Sequence, residues 1–176
     1  YFCSMKPIYL DNAATTPMLP EIVEVMQQSM LSNFGNPSST HQFGRKAKVA
    51  VETARKNIAK HFNISASEII FTAGGTEADN MVLYNAVQNL GVTRIVTSKI
   101  EHHAVLRTIA YLKKEYEISV DFVRVNGKGT VLVSELEAVL NKSSEKTLVS
   151  LMYVNNEIGN LLRIDEVASF CKEKEV

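Results

Sequence analysis

Apolar side chains recur along this chain with two different periods, and the alternation between them predicts its elements. Ile22, Val25, Met26 and Met30 fall at helical spacing after Pro20, so a helix is expected there. Ala47, Ala50, Val51, Ala54 and Ile58 mark one face of a longer helix. Between the two lies Asn33-Phe34-Gly35-Asn36-Pro37-Ser38-Ser39, rich in turn formers and read as a loop. Short β-rich runs then alternate with helical stretches. Strands are expected at Ile69–Thr72, Arg94–Ser98, Val120–Val125 and Leu148–Val154. Helices are expected at Glu77–Asn89 and Ala104–Glu117, from Ser134 and from about Asp165. Ser134-Glu135-Leu136-Glu137 has the form of a capping box. A further short strand is expected at Ile8–Leu10, apart from the main sheet.

Strands that alternate with helices predict an α/β fold, a three-layer α/β/α arrangement around one mostly parallel sheet. In such sheets ligands bind beyond the carboxyl ends of the strands, so the segments that follow strands are where chemistry is sought.

Composition narrows the picture. Hydrophobic residues are 45% and charged residues 22%, within the range of globular proteins. The 19 basic and 19 acidic side chains balance, which gives no reason to expect nucleic acid or an anionic membrane as partner. No apolar run is long enough to cross a bilayer, and no secretion signal is read at the start. Two cysteines, Cys3 and Cys171, make neither a disulfide framework nor a metal cluster, so a cytoplasmic setting is expected. Cys171 shares an apolar helical stripe with Ile164, Val167 and Ala168 and is expected to be a buried, inert thiol. Residues 1–4 read as the tail of a cleavable purification tag, the alternative being a short native extension.

Four segments could carry chemistry. Ala73-Gly74-Gly75-Thr76-Glu77 lies between an expected strand and a helix, where amides, a hydroxyl and the helix dipole suit a phosphate. A plain turn capped by threonine fits the same residues. Ser98-Lys99-Ile100-Glu101-His102-His103 follows the second strand and offers an imidazole for stacking, hydrogen bonding or proton transfer. The adjacent His102 and His103 diverge and lack further ligands, so no metal is read there. Tyr153-Val154-Asn155-Asn156-Glu157 places two amides and a carboxylate at a strand end, for a turn or for a ligand. Leu10–Pro17 offers small residues and hydroxyls. The residues alone reach a small anionic ligand over a parallel sheet.

Together these segments resemble the pyridoxal-phosphate (PLP) dependent cysteine desulfurases of the NifS/IscS kind, in the class-V aminotransferase family. The matching pieces are LDNAATTP (10–17), FGNPSS (34–39), GGTEADN (74–80), TSKIEHHAVL (97–106) and VNNEIG (154–159), in the family's order and spacing. GGTEADN and FGNPSS are closer to this branch than to the SufS-like one. The resemblance implies the large domain of an aspartate aminotransferase-like fold, incomplete here, with residues 5–16 associated with the small domain and 17–176 in the PLP-binding large domain. It implies that Gly75 and Thr76 bind the cofactor phosphate, that His102 stacks on the pyridine ring and helps move protons, and that Asn156 bonds the phenolic oxygen. Asn155 is then structural, and His103 matches no functional position.

The implied reaction converts L-cysteine to L-alanine and leaves sulfur as a persulfide on an enzyme cysteine. Expected partners are a sulfur-acceptor or iron–sulfur scaffold protein and a second subunit of a homodimer. The family's Schiff-base lysine and nucleophilic cysteine have no counterpart in these 176 residues, so the chain alone is expected to be inactive. Lys99 does not take the lysine's place. Alternatives are another class-V enzyme, such as a selenocysteine lyase or a small aminotransferase, and a non-catalytic form that binds a partner.

Overall fold

A computed structural model describes residues 7–176, so Cys3 and the proposed tag lie outside the described residues. The chain divides into two compact units, one ending at Phe71 and one from Thr72 to Val176.

The first unit is helical. α1 (Pro20–Ser32) starts with proline in its first turn, where a missing N–H costs nothing. It buries no residue, and Ile22, Val25, Met26 and Met30 all lie exposed. α2 (Gln42–Phe62) begins at His41, whose Nδ1 accepts from the Gly44 amide at 3.3 Å, and ends at Asn63 in the left-handed conformation. Ala47 and Ala59 are buried on its inner face. The 34–39 loop folds onto the start of this helix. A Cβ on Gly35 would lie 2.4 Å from the Phe43 carbonyl oxygen, and one on Gly44 would lie 2.3 Å from that of Ser39. Both glycines are therefore demanded by close backbone approach, and FGNPSS has a structural use here.

Two strands expected from the sequence do not form. Ile8–Leu10 is irregular, with Ile8 and Leu10 exposed. Residues 69–72 are also irregular, and Ile70 and Phe71 are exposed. An apolar run becomes a strand only when a neighbouring strand takes its hydrogen bonds, and none pairs with it among the described residues. Instead Ile69 donates its amide to Ala66, and its carbonyl accepts from the Arg55 guanidinium, which also lies 4.7 Å from the Phe71 ring centroid. The turn before it, Ala66–Glu68, carries a capping box from Ser65 and Glu68.

The second unit holds a three-stranded parallel sheet in the order β2-β1-β3, made of β1 (Arg94–Ser98), β2 (Ser119–Val123) and β3 (Thr147–Val149). β1 is central and buried throughout. Successive residues of a strand face opposite sides. Ile95 therefore packs with Leu83, Ala86, Val105, Ile109 and Leu112 of α3 (Gly75–Gln88) and α4 (His103–Tyr116). Val96 packs on the other side with Leu136, Val139 and Val167 of α5 (Leu136–Leu140) and α6 (Ile164–Glu173). These are the three layers that the alternation predicts.

One charge sits in this core. Arg94, 1% exposed, donates Nε and Nη2 to Asp121 Oδ2 at 2.8 and 2.6 Å, and Nη2 to the Val139 carbonyl at 2.6 Å. A buried guanidinium is tolerated only when its donors are matched in this way. The carbonyl bond also anchors the last turn of α5 over the sheet. The capping box read at Ser134 does not form. A short 3-10 turn, Val133–Glu135, precedes α5, no side chain caps either element, and Glu135 pairs with the exposed Arg124. β3 stops at Val149, five residues short of the expected strand; the Ser150 amide still donates to the Val96 carbonyl at 2.9 Å, and Val154 then forms an isolated antiparallel bridge with Leu161. No helix of the described residues is long and apolar enough to cross a membrane.

Candidate functional site

In a sheet ordered β2-β1-β3 the chain leaves β1 for one neighbour and returns on its other side. The crevice beyond the carboxyl ends of β1 and β3 is therefore the place where loops separate and a ligand can enter. The loops after these two strands are tied together. Asn155, buried, donates Nδ2 to the Ile100 carbonyl at 2.9 Å, and its Oδ1 accepts from the Glu157 and Ile158 amides at 3.0 and 3.1 Å. The Asn155 side chain thus ties the two loops together. Asn156 lies exposed, with Nδ2 donating to Glu157 Oε1 at 3.0 Å.

The glycine segment opens α3. Gly74 is extended and Gly75 is the first helical residue. Neither needs a left-handed conformation, and a Cβ on either would meet no heavy atom within 4 Å. What their small size provides is an open surface at the helix start, where amides and the dipole favour an anion. Glu77 Oε2 accepts from the Ala73 amide at 2.6 Å and holds the turn in shape.

His102 is the N-cap of α4. Its Nδ1 accepts from the Ala104 amide at 3.1 Å, and the ring stays exposed. His103 is exposed too, its ring centroid 6.3 Å from that of His102. The two helix starts are brought together by a bond between α3 and α4, Thr108 Oγ1 donating to Asn80 Oδ1 at 2.5 Å. Asn80 stands one turn beyond Thr76 and Thr108 lies in the second turn of α4, so this bond sets the spacing of Thr76 and His102. The result is a cleft of about 290 Å³ lined by Thr76, Asn80, His102, His103, Arg107 and Thr108. Gly75 and Thr76 also line a more open cleft along α3. Asn156 lines neither, and Lys99 lies in a separate cleft with Phe122 and Arg124.

Three residues of the site were not singled out from the sequence. Asn80 and Thr108 are 28 positions apart, and nothing local marks them as partners. Glu101, beside His102, is 7% exposed and accepts from Ser98 Oγ at 2.6 Å. Burial pushes its carboxyl above the usual glutamate range. Hydrogen bonds from Ser98 and the Met152 backbone oppose this, and the nearby Asp79 charge adds to it. A glutamate before a histidine reads as a solvated charge, and only the packing shows it inside.

An open helix start and a capping histidine share one cleft beyond the parallel sheet of an α/β fold. The chain belongs to the aminotransferase class-V family, whose model matches residues 8–176. It is 41% identical over 174 residues to a cysteine desulfurase IscS of Dictyoglomus turgidum, covering 97% of this chain and 43% of that protein. The structure is similar to that of a NifS-like protein, with a TM-score of 0.84 and 36% identity, covering 93% of this chain and 44% of that one. It is also similar to SspA in complex with cysteine, with a TM-score of 0.83 and 29% identity over 93% of this chain and 47% of that one. The chain spans less than half the length of each of these relatives.

Proposed function

We propose that these residues form the N-terminal part of the PLP-binding large domain of a cysteine desulfurase. The observation that carries the reading is the shared cleft of Thr76 and His102, each at the first turn of its own helix. The donor set fits the cofactor. The open helix start at Gly74–Thr76 offers amides and a hydroxyl to a phosphate, and the exposed imidazole of His102 offers a flat face to an aromatic ring. When bound, PLP supplies an electron sink for carbanion chemistry. The protein's part is then to fix the phosphate at Gly75 and Thr76, to flank the ring with His102, and to direct Asn156 from a loop that Asn155 holds in place.

The substrate in this reading is L-cysteine, the products are L-alanine and an enzyme persulfide, and the sulfur passes to an acceptor or iron–sulfur scaffold protein. The reading places the Schiff-base lysine and the sulfur-accepting cysteine outside these 176 residues, the working enzyme as a homodimer, and its location in the cytoplasm. Residues 17–176 belong to the large domain and 5–16 to the small one.

Pyridoxine 5'-phosphate tests the site without reacting with surface lysines. Its binding to the chain is expected to be saturable by calorimetry and to weaken roughly tenfold in Thr76→Val, the loss of one hydrogen bond to a charged group. Equal binding by wild type and Thr76→Val would sink the reading. Incubated with PLP and cysteine, the chain alone is expected to release no alanine catalytically.

A further inference from the structure

Asn126 is the one asparagine of this chain that is followed by glycine. An asparagine side chain can be attacked by the backbone nitrogen of the next residue, and glycine, with no Cβ, hinders that attack least. The pair stands at the tip of a hairpin beyond β2, where Val125 and Val131 form an antiparallel bridge and residues 126–128 are exposed. The Gly127 amide donates to no acceptor among the described residues, so the attacking nitrogen is open to water.

The rest of the turn holds the asparagine in place. Its amide donates to the Thr130 carbonyl and its carbonyl accepts from the Gly129 amide, both at 3.0 Å. Its Oδ1 accepts from the Lys128 and Thr130 amides at 2.9 and 3.0 Å. The tip is also fixed from outside. Asn160 Nδ2 donates to the Lys128 carbonyl at 2.8 Å. Gly129, at φ +75°, lies so close to Ile158 that a Cβ there would be 2.2 Å from Cδ1. Donors lie near the plane of the carbonyl they serve, whereas a nucleophile approaches its face. The two bonds to Oδ1 therefore hold the side-chain amide against the turn that attack requires.

We propose that Asn126 is a spontaneous modification site gated by this turn: closed, the turn preserves the asparagine, and open, it lets the side chain convert to aspartate and isoaspartate. In the first step the Gly127 nitrogen gives its proton to a solvent base and bonds to Cγ. The Cγ–Nδ2 bond breaks, and ammonia leaves with a proton taken from water. Water then opens the resulting succinimide at either carbonyl, and nothing is oxidised or reduced. Isoaspartate routes the main chain through the former side chain and lengthens the tip by a methylene, between strands that Val125 and Val131 bridge. The Asn160 bond and the Ile158 contact carry that change to the loop that begins at Asn155. The proposal is independent of the cofactor reading.

The test incubates the 176-residue chain at mildly alkaline pH, folded in buffer and unfolded in guanidinium chloride. Peptide mass mapping follows the amide-to-acid exchange at each asparagine, and isoaspartate methyltransferase labels the rearranged product. In the unfolded chain Asn126 is expected to convert ahead of every other asparagine, to both products. In the folded chain it is expected to convert at least about tenfold more slowly, which corresponds to an opening free energy of at least about 1.4 kcal/mol. Gly127→Ala, whose Cβ meets nothing within 4 Å, is expected to lose the conversion over the same incubation of the unfolded chain. Equal rates in buffer and denaturant overturn the gate. An Asn126 that keeps its amide in denaturant while other asparagines convert, or undiminished conversion in Gly127→Ala, overturns the site.

Discussion

Asn155 and Ile100 are joined by a 2.9 Å hydrogen bond across 55 residues of sequence, amide to carbonyl, and this bond connects the loop after β3 to the loop after β1. Both loops border the crevice of the parallel sheet, and the second of them leads into His102. The first carries Asn156. Their relative placement depends on one buried side chain that satisfies three backbone groups at once.

Asn155→Ala is expected to lower stability by about 1–3 kcal/mol, because it leaves buried backbone groups without partners. Asn155→Asp keeps the acceptor for Glu157 and Ile158 but sets a carboxylate oxygen against the Ile100 carbonyl. At neutral pH it should be at least as destabilising as alanine. Urea unfolding of the two variants measures this. An aspartate variant as stable as wild type would show that the bond to Ile100 contributes nothing.

Glu101 makes stability depend on pH in a defined direction. Its folded-state pKa is raised, chiefly by burial, so the folded chain holds a proton that the unfolded chain has released. The contribution is complete below the ordinary glutamate range and is lost as pH rises through that range to the raised folded value. Glu101→Gln stays neutral and can still accept from Ser98. Its unfolding midpoint is expected to match wild type at acidic pH and to exceed it at neutral pH. Parallel pH profiles for the two proteins would remove Glu101 as the source.

The α3 glycines separate fold from ligand. A Cβ at Gly75 meets nothing within 4 Å, and the position is helical. Gly75→Ala is therefore expected to hold or raise stability, by up to about 1 kcal/mol. In the same variant pyridoxine 5'-phosphate should bind more weakly, because the methyl group occupies the surface on which the phosphate is proposed to lie. Unchanged binding together with unchanged stability would leave the glycine without a role at that surface.

Cys171 is partly buried against Val167, Leu136 and their neighbours, and burial pushes its thiol pKa up. Thiolate is the reactive form. Iodoacetamide at neutral pH is expected to modify Cys171 slowly in the folded chain and rapidly in urea. Peptide mass mapping distinguishes it from Cys3. Rapid labelling in the folded chain would mean that the apolar stripe of α6 does not cover the sulfur.

Local pattern and physics were enough for much of this molecule. The 3.6-residue recurrence of Val105, Ile109 and Leu112 marks α4, and the run Arg94–Ser98 marks β1, because helix and strand periodicities depend on neighbours a few positions apart. Gly75, Thr76 and His102 are legible as candidates for the same reason: each sits at the start of a helix, where amides lack helical partners. The two strands that do not form share one cause. Residues 8–10 and 69–72 have the composition of strands, but a strand exists only with a partner, and local composition cannot supply one. The helical spacing of Ile22, Val25, Met26 and Met30 marks α1, yet the described residues leave those side chains exposed.

The sequence by itself determined which segments could turn, which could line a sheet and which short motifs could meet an anion, all of them properties of side chains and their near neighbours. Only the tertiary structure decided that Asn80 bonds Thr108 and so sets Thr76 beside His102, that Asn155 and not Asn156 is the buried amide, and that Glu101 lies inside. These are contacts between residues distant in the chain, or matters of burial, and they take their energy from being closed off from water. That enclosure exists only once the helices are packed on the sheet.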